Sequence, residues 1–155
     1  MGEALKKRLK MKKDVPEREE LSLNLKVASN LLSNRMEKLT SAYGITASQY
    51  NVLRILKGVY PEGHPRCEIA PRMIDIAPDI TRLIDRLEKQ GLVTRDRTTE
   101  DRRKSITKLT EKGLNLIDKI KPIIDKEHKN ATKNLTEEEC KKLSFLLEKM
   151  YRNIT

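Results

Sequence analysis

Apolar residues recur along the chain at two different periods, and the change of period marks its most informative stretch. Ile80, Leu83, Ile84 and Leu87 fall at helical spacing, so one face of that helix is buried. Pro78, Arg82, Asp85 and Lys89 then point away from the buried face, with Thr81 and Arg86 on its flanks. Pro78 suits a first helical turn, and Gly91 suits the C-terminal stop. After Gly91 the pattern becomes short and alternating: Leu92-Val93-Thr94-Arg95 and Ile106-Thr107-Lys108-Leu109 predict two strands. Thr98 to Lys104 between them is a polar connection with basic side chains at its tip. A short helix, a turn, a second helix and a basic hairpin describe a winged helix-turn-helix, an architecture suited to duplex DNA.

The flanks carry longer patterns. Pro16 resets the chain, and from about Glu17 to Tyr43 a long helix is predicted, with Leu21, Leu25, Ala28, Leu31, Leu32, Leu39 and Ala42 on or near one stripe and Gly44 at its end. Thr46 and Gln49 form a capping box for the next helix, whose apolar content is Tyr50, Leu53, Ile55 and Leu56 and which Gly58 closes. Val59 to Pro65 reads as a loop. Cys67 to Met73 is the first helix of the reading unit, with Pro71 requiring that it begin near there or bend. Beyond the hairpin, Thr110 and Glu111 open a helix with Leu114, Ile117, Ile120 and Ile124, which Pro122 is expected to kink or split. A second capping box, Thr136 and Glu139, starts a final helix carrying Cys140, Leu143, Leu146, Leu147, Met150, Tyr151 and Ile154. The flanking helices hold more apolar surface than one winged unit covers, which predicts a second copy of the chain as partner.

Composition narrows the function. The formal charge of +10 on 155 residues favours a polyanionic partner. No helix joins a basic face to Trp or Phe anchors, and no apolar run spans a bilayer, so a membrane is not expected and the chain reads as soluble and cytoplasmic. With no Trp and one Phe, stacking platforms for single strands are also lacking. No nucleophile stands with a base and an orienting group, and no Gly-rich loop cradles phosphate, so an enzyme is not expected. Lys6, Lys7, Arg8, Lys10, Lys12 and Lys13 make residues 1–16 a basic, flexible arm, either solvated or touching DNA backbone. Residues 17–155 form one subunit, with the winged unit over about 46–110 and dimerisation helices over about 17–43 and 110–155.

The segments DITRLIDRLEKQGLVTR and EDRRKSITKLTEKG resemble the MarR-type (multiple antibiotic resistance) transcriptional regulators. The second carries the family's Asp-x-Arg, Leu-Thr and Gly signature at Asp101, Arg103, Leu109, Thr110 and Gly113, and TASQYNVLRIL is similar to the helix before the helix-turn-helix. The clear match runs roughly from Ile45 to Leu116. The loop before Cys67 departs from the family's shorter, strand-bearing connection. The resemblance implies a mainly α fold with a small β-hairpin wing and N- and C-terminal dimerisation helices. It also implies a homodimeric repressor of a pseudo-palindromic operator, answering to a small aromatic or apolar effector.

Arg82 near the helix N-terminus suits guanine O6 and N7, and Thr81 a thymine methyl or a phosphate. Asp79 and Asp85 would repel phosphate, and Asp79 suits the helix N-terminus. Arg86 and Arg95 are candidates for backbone contact. In the wing, Arg102, Arg103 and Lys104 are the groove or backbone candidates, and one Arg pairs with Asp101 to stiffen the hairpin; the resemblance favours Arg103 for that pair. His64, Cys67, His128 and Cys140 have no zinc-ligand spacing, so neither metal nor cofactor is expected. Cys67, beside Arg66, is either incidental or a thiol sensor, and Cys140 is expected in the core. The alternative to a DNA-binding regulator is an interaction module whose charge serves solubility.

Overall fold

The computed structural model describes residues 2–75, 79–96 and 105–152. Its elements run α1 (Glu3–Leu9), α2 (Glu17–Ser41), α3 (Ala47–Lys57), β1 (His64–Pro65), α4 (Arg66–Ile69), a 3₁₀ turn (Ala70–Arg72), α5 (Ile80–Lys89), β2 (Val93–Asp96), β3 (Ile106–Leu109), α6 (Glu111–Ala131) and α7 (Glu137–Tyr151). The fold is mainly helical with a small antiparallel sheet, as the patterning and the resemblance led us to expect.

Three helix starts follow from local chemistry. Thr46 and Gln49 make a reciprocal capping box at α3, Thr136 and Glu139 another at α7, and the Thr110 hydroxyl accepts from Gly113 N at α6. Each satisfies backbone N–H groups that the first turn of a helix leaves without partners. α3 is the hub, packing on α2, α5 and α6. Val52, Leu53, Leu56, Ile69, Leu87, Ile117 and Ile120 are fully buried together. Arg35 to Glu127, at 2.8 Å, ties α2 to α6, and Lys57 to Asp118 ties α3 to α6.

The hairpin gains a strand that the sequence reading assigns to a loop. β1 pairs with β3 (His64 opposite Thr107, Pro65 opposite Ile106), and β3 pairs on its other edge with β2, Val93 opposite Leu109. Two residues of strand carry no period, so no pattern reveals them. Gly63 makes the pairing possible: its φ is +85°, and a Cβ there would lie 2.3 Å from the Thr107 carbonyl oxygen.

Other expectations change. The basic arm contains α1, whose Leu5 is buried and whose start is held by Gly2 N donating to the Glu20 carboxylate at 2.6 Å. Pro71 does break the first helix of the reading unit, which continues as the 3₁₀ turn. Pro122 does not split α6, a helix long enough to outlast one missing backbone bond. Cys140 is half-buried, not core, because α7 buries none of its residues in this chain. Ile154 lies outside the described residues.

Candidate nucleic-acid interface

α5 is strongly two-faced. Ile80, Ile84 and Leu87 are buried and fix its rotation, so Arg82 and Arg86 face solvent one turn apart. Asp79 organises the helix start: one carboxylate oxygen accepts from Arg82 N at 3.2 Å, and the other lies 2.9 Å from Arg82 Nε. The helix cap expected of Asp79 is therefore present, and the same carboxylate steadies the Arg82 side chain. That side chain is 79% exposed, and its terminal amino groups have no partner among the described residues. A guanidinium so presented keeps its fork for a base edge or a phosphate.

Thr81, half-buried beside Arg82, accepts a 2.8 Å hydrogen bond from Arg66 Nη1 at the start of α4. Sequence reading does not single out Arg66, because nothing in a periodic pattern joins residues on two helices. Arg72, further along the same segment, pairs with Glu68 and holds its carboxyl below the usual glutamate range.

Arg95 and Asp85 meet each other. The Arg95 guanidinium hydrogen-bonds Asp85, lies 3.6 Å from Glu88 Oε2, and is only 19% exposed. This side chain joins β2 to α5. The two are paired within the chain; sequence reading places Arg95 among the candidates for backbone contact and Asp85 on the face turned away from the core.

The far end of α5 is fastened as well. Gln90 Nε2 donates to the Gly44 carbonyl at 3.0 Å, Lys112 Nζ to the Gln90 carbonyl at 2.7 Å, and the Thr110 hydroxyl to the Gly91 carbonyl at 2.9 Å. Gly44, Gln90 and Lys112 border an open cleft of about 380 Å³ floored by Tyr43, Ile45, Leu92 and Leu116. Lys119 Nζ stands 5.7 Å from the centre of the Tyr43 ring.

Pro78 and the wing-tip candidates Asp101, Arg102, Arg103 and Lys104 lie outside the described residues. Among the described residues no His, Cys, Asp and Glu cluster could hold a metal ion, and no helix is long and apolar enough to cross a membrane. Cys67 is exposed on α4.

Comparison with known proteins places this geometry. A family model described as transcriptional regulator SarA/Rot matches residues 34–120. The HTH-type transcriptional regulator PapX of Escherichia coli is 32% identical over 136 residues, which is 87% of this chain and 83% of that protein. A MarR transcription factor from Planctomyces limnophilus is 36% identical with a TM-score of 0.68, over 88% of this chain and 98% of that one. A mutant MarR from E. coli, solved in complex with operator DNA, is 26% identical with a TM-score of 0.73, over 84% of this chain and 93% of that one.

Proposed function

Because the chain belongs to the MarR-like SarA/Rot family of transcriptional regulators, we propose that it is a homodimeric repressor that binds a pseudo-palindromic duplex operator and releases it on binding a small aromatic or apolar molecule. The observation that carries this reading is Arg82, exposed near the N-terminus of a helix whose opposite face is buried and whose start Asp79 braces. A helix laid in a major groove meets base edges with such residues. Thr81 and Arg86 flank it, while β2 and β3 lead into the segment bearing Arg102, Arg103 and Lys104, which would follow the adjacent groove or backbone. Pro78 sits just before the braced helix start.

The dimer rests on uncovered apolar surface. Leu143, Phe145, Leu146 and Tyr151 on α7, and Leu21, Leu31 and Leu32 on α2, are exposed in the single chain. A second copy supplies the matching surface under two-fold symmetry. The cleft under Tyr43 and Leu116 is the candidate effector site, since its volume suits a small ligand and it touches the residues that hold the end of α5.

The test is binding of the purified protein to duplexes selected from a random pool, measured at two salt concentrations beside unselected duplex. A groove reader shows a steep fall with salt on both and a preference for the selected sequence. Binding that ignores salt and sequence overturns the reading in favour of a DNA-independent interaction module. One observation favours thiol control as a second reading: Cys67 is exposed next to Arg66 on the segment facing α5. Release of DNA by mild peroxide, abolished in Cys67→Ser, is its test.

A further inference from the structure

Asp79 and Arg82 close a small ring at the start of α5. One carboxylate oxygen accepts from the Arg82 backbone N–H at 3.2 Å, and the other lies 2.9 Å from Nε of the same residue. Nε carries one hydrogen, which this contact uses. The two terminal amino groups carry the other four and have no partner among the described residues. The charge of Arg82 is thus opposed on the helix itself. Arg86, one turn on and exposed, has no ion pair among the described residues, and Asp85 beside it in sequence is taken by Arg95. Two arginines on one helix therefore differ in the charge they offer a polyanion.

We propose that Asp79 is a specificity-determining residue that makes Arg82 a base reader and keeps it from serving as a phosphate contact. Any positive charge satisfies a phosphate, and the affinity gained there follows the charge delivered, through release of counterions. An Arg–Asp pair delivers little net charge, and its carboxylate repels an approaching phosphate. A base edge instead needs donors in a fixed fork, which the paired guanidinium keeps in Nη1 and Nη2 for guanine O6 and N7. In water so exposed a pair contributes little to stability. A duplex docked on α5 displaces that water, and the carboxylate's field is then felt more strongly. Selection comes from opposing the wrong contact as well as from making the right one. The inference rests on the placement of α5 in the groove proposed above. It divides the helix between Arg82, which serves sequence, and Arg86, which serves affinity.

Asp79→Asn keeps one oxygen for the helix cap but has no charge and no second oxygen for Nε. Wild type, Asp79→Asn, Arg82→Ala and the double variant, first shown to be folded by circular dichroism, are compared on selected and unselected duplexes across a salt series. Asp79→Asn is expected to bind unselected duplex more tightly than wild type, with a salt slope steeper by up to about 0.9 per subunit, the value for one added phosphate contact. Its preference at the base pair mapped by Arg82→Ala should fall by roughly fivefold, the lower end of what one bidentate contact discriminates. The double variant should show the preference of Arg82→Ala alone. Asp79→Ser, which also caps with a single oxygen, should behave as Asp79→Asn does. A cap that is merely structural would weaken binding to every duplex, the opposite sign on unselected DNA. Uniform weakening, or a wild-type preference and slope in Asp79→Asn, overturns the proposal and leaves the groove reading in place. A preference lost at a different base pair makes Asp79 a base contact itself and overturns it equally. If wild type shows no preference among duplexes, the groove reading fails and takes this proposal with it.

Discussion

Arg95, on the strand that follows α5, closes an ion pair with Asp85 in the middle of that helix and reaches Glu88 one turn on. The side chain is mostly covered, so the pair sits in a less screened setting than an exposed one. It fixes the angle between α5 and the strands that carry the wing.

Arg95→Ala should therefore loosen that angle without removing a phosphate contact. The expected outcome is weaker binding to all duplexes, with base preference unchanged and stability lower by about 1 kcal/mol, the upper end for an exposed ion pair. The slope of affinity against salt should stay as in wild type. A slope smaller by about 0.9 per subunit would make Arg95 a backbone contact instead.

Arg82 and Arg103 should fail in different ways. Arg82→Ala removes the candidate base contact and should cost about 1–3 kcal/mol on the operator, with a much smaller loss on random duplex. Lysine should rescue it only partly, because an ammonium lacks the guanidinium fork. Arg103→Ala should weaken operator and random duplex alike and flatten the salt dependence. Equal loss on every sequence for Arg82→Ala would mean that α5 is rotated in its groove.

The exposed leucines of α7 test the dimer. Leu143→Glu combined with Leu146→Glu should convert a species of twice the chain mass into monomer in light scattering, since burying each leucine is worth about 1.5–3 kcal/mol. A wild-type chain that sediments as a cooperatively folding monomer at micromolar concentration would refute the two-copy arrangement.

Gly113 marks where α6 touches the sheet. A Cβ on it would stand 2.2 Å from the Leu92 carbonyl oxygen and 2.8 Å from Leu109 Cδ1. Backbone cannot yield as a flexible side chain does, so Gly113→Ala should destabilise the fold by about 1–3 kcal/mol or more. Thermal unfolding of the variant beside wild type measures this, and an unchanged midpoint would show that the helix and strand separate at little cost.

The α7 start should be acid-sensitive. The Thr136 backbone N–H, donating to the Glu139 carboxylate at 2.8 Å, holds that carboxyl below its ordinary value. A lowered folded-state value means that the cap contributes fully above the ordinary glutamate range and is lost as pH falls through the folded value. Glu139→Gln keeps an acceptor without a titrating group. Helicity and dimer content should fall less on acidification in that variant than in wild type; identical acid profiles would remove Glu139 from the account.

The elements of this fold were legible in the sequence because local chemistry decides them. The Thr46–Gln49 and Thr136–Glu139 boxes, the period of Ile80, Ile84 and Leu87, and the alternation of Val93 and Leu109 each act within a few residues. The exposed face with Arg82 and Arg86, flanked by half-buried Thr81, follows from that period alone. The resemblance added the wing signature and with it the family. Tertiary structure decided whatever depends on side chains far apart in the chain. It paired Arg95 with Asp85, set Arg66 against Thr81 across fifteen residues, and brought His64 and Pro65 to the edge of β3. It also showed why position 113 is glycine, since the obstacle is a carbonyl on a strand that only the folded chain brings near. A periodic pattern tells which face of an element is buried; which charged groups then meet is set by how the elements cross.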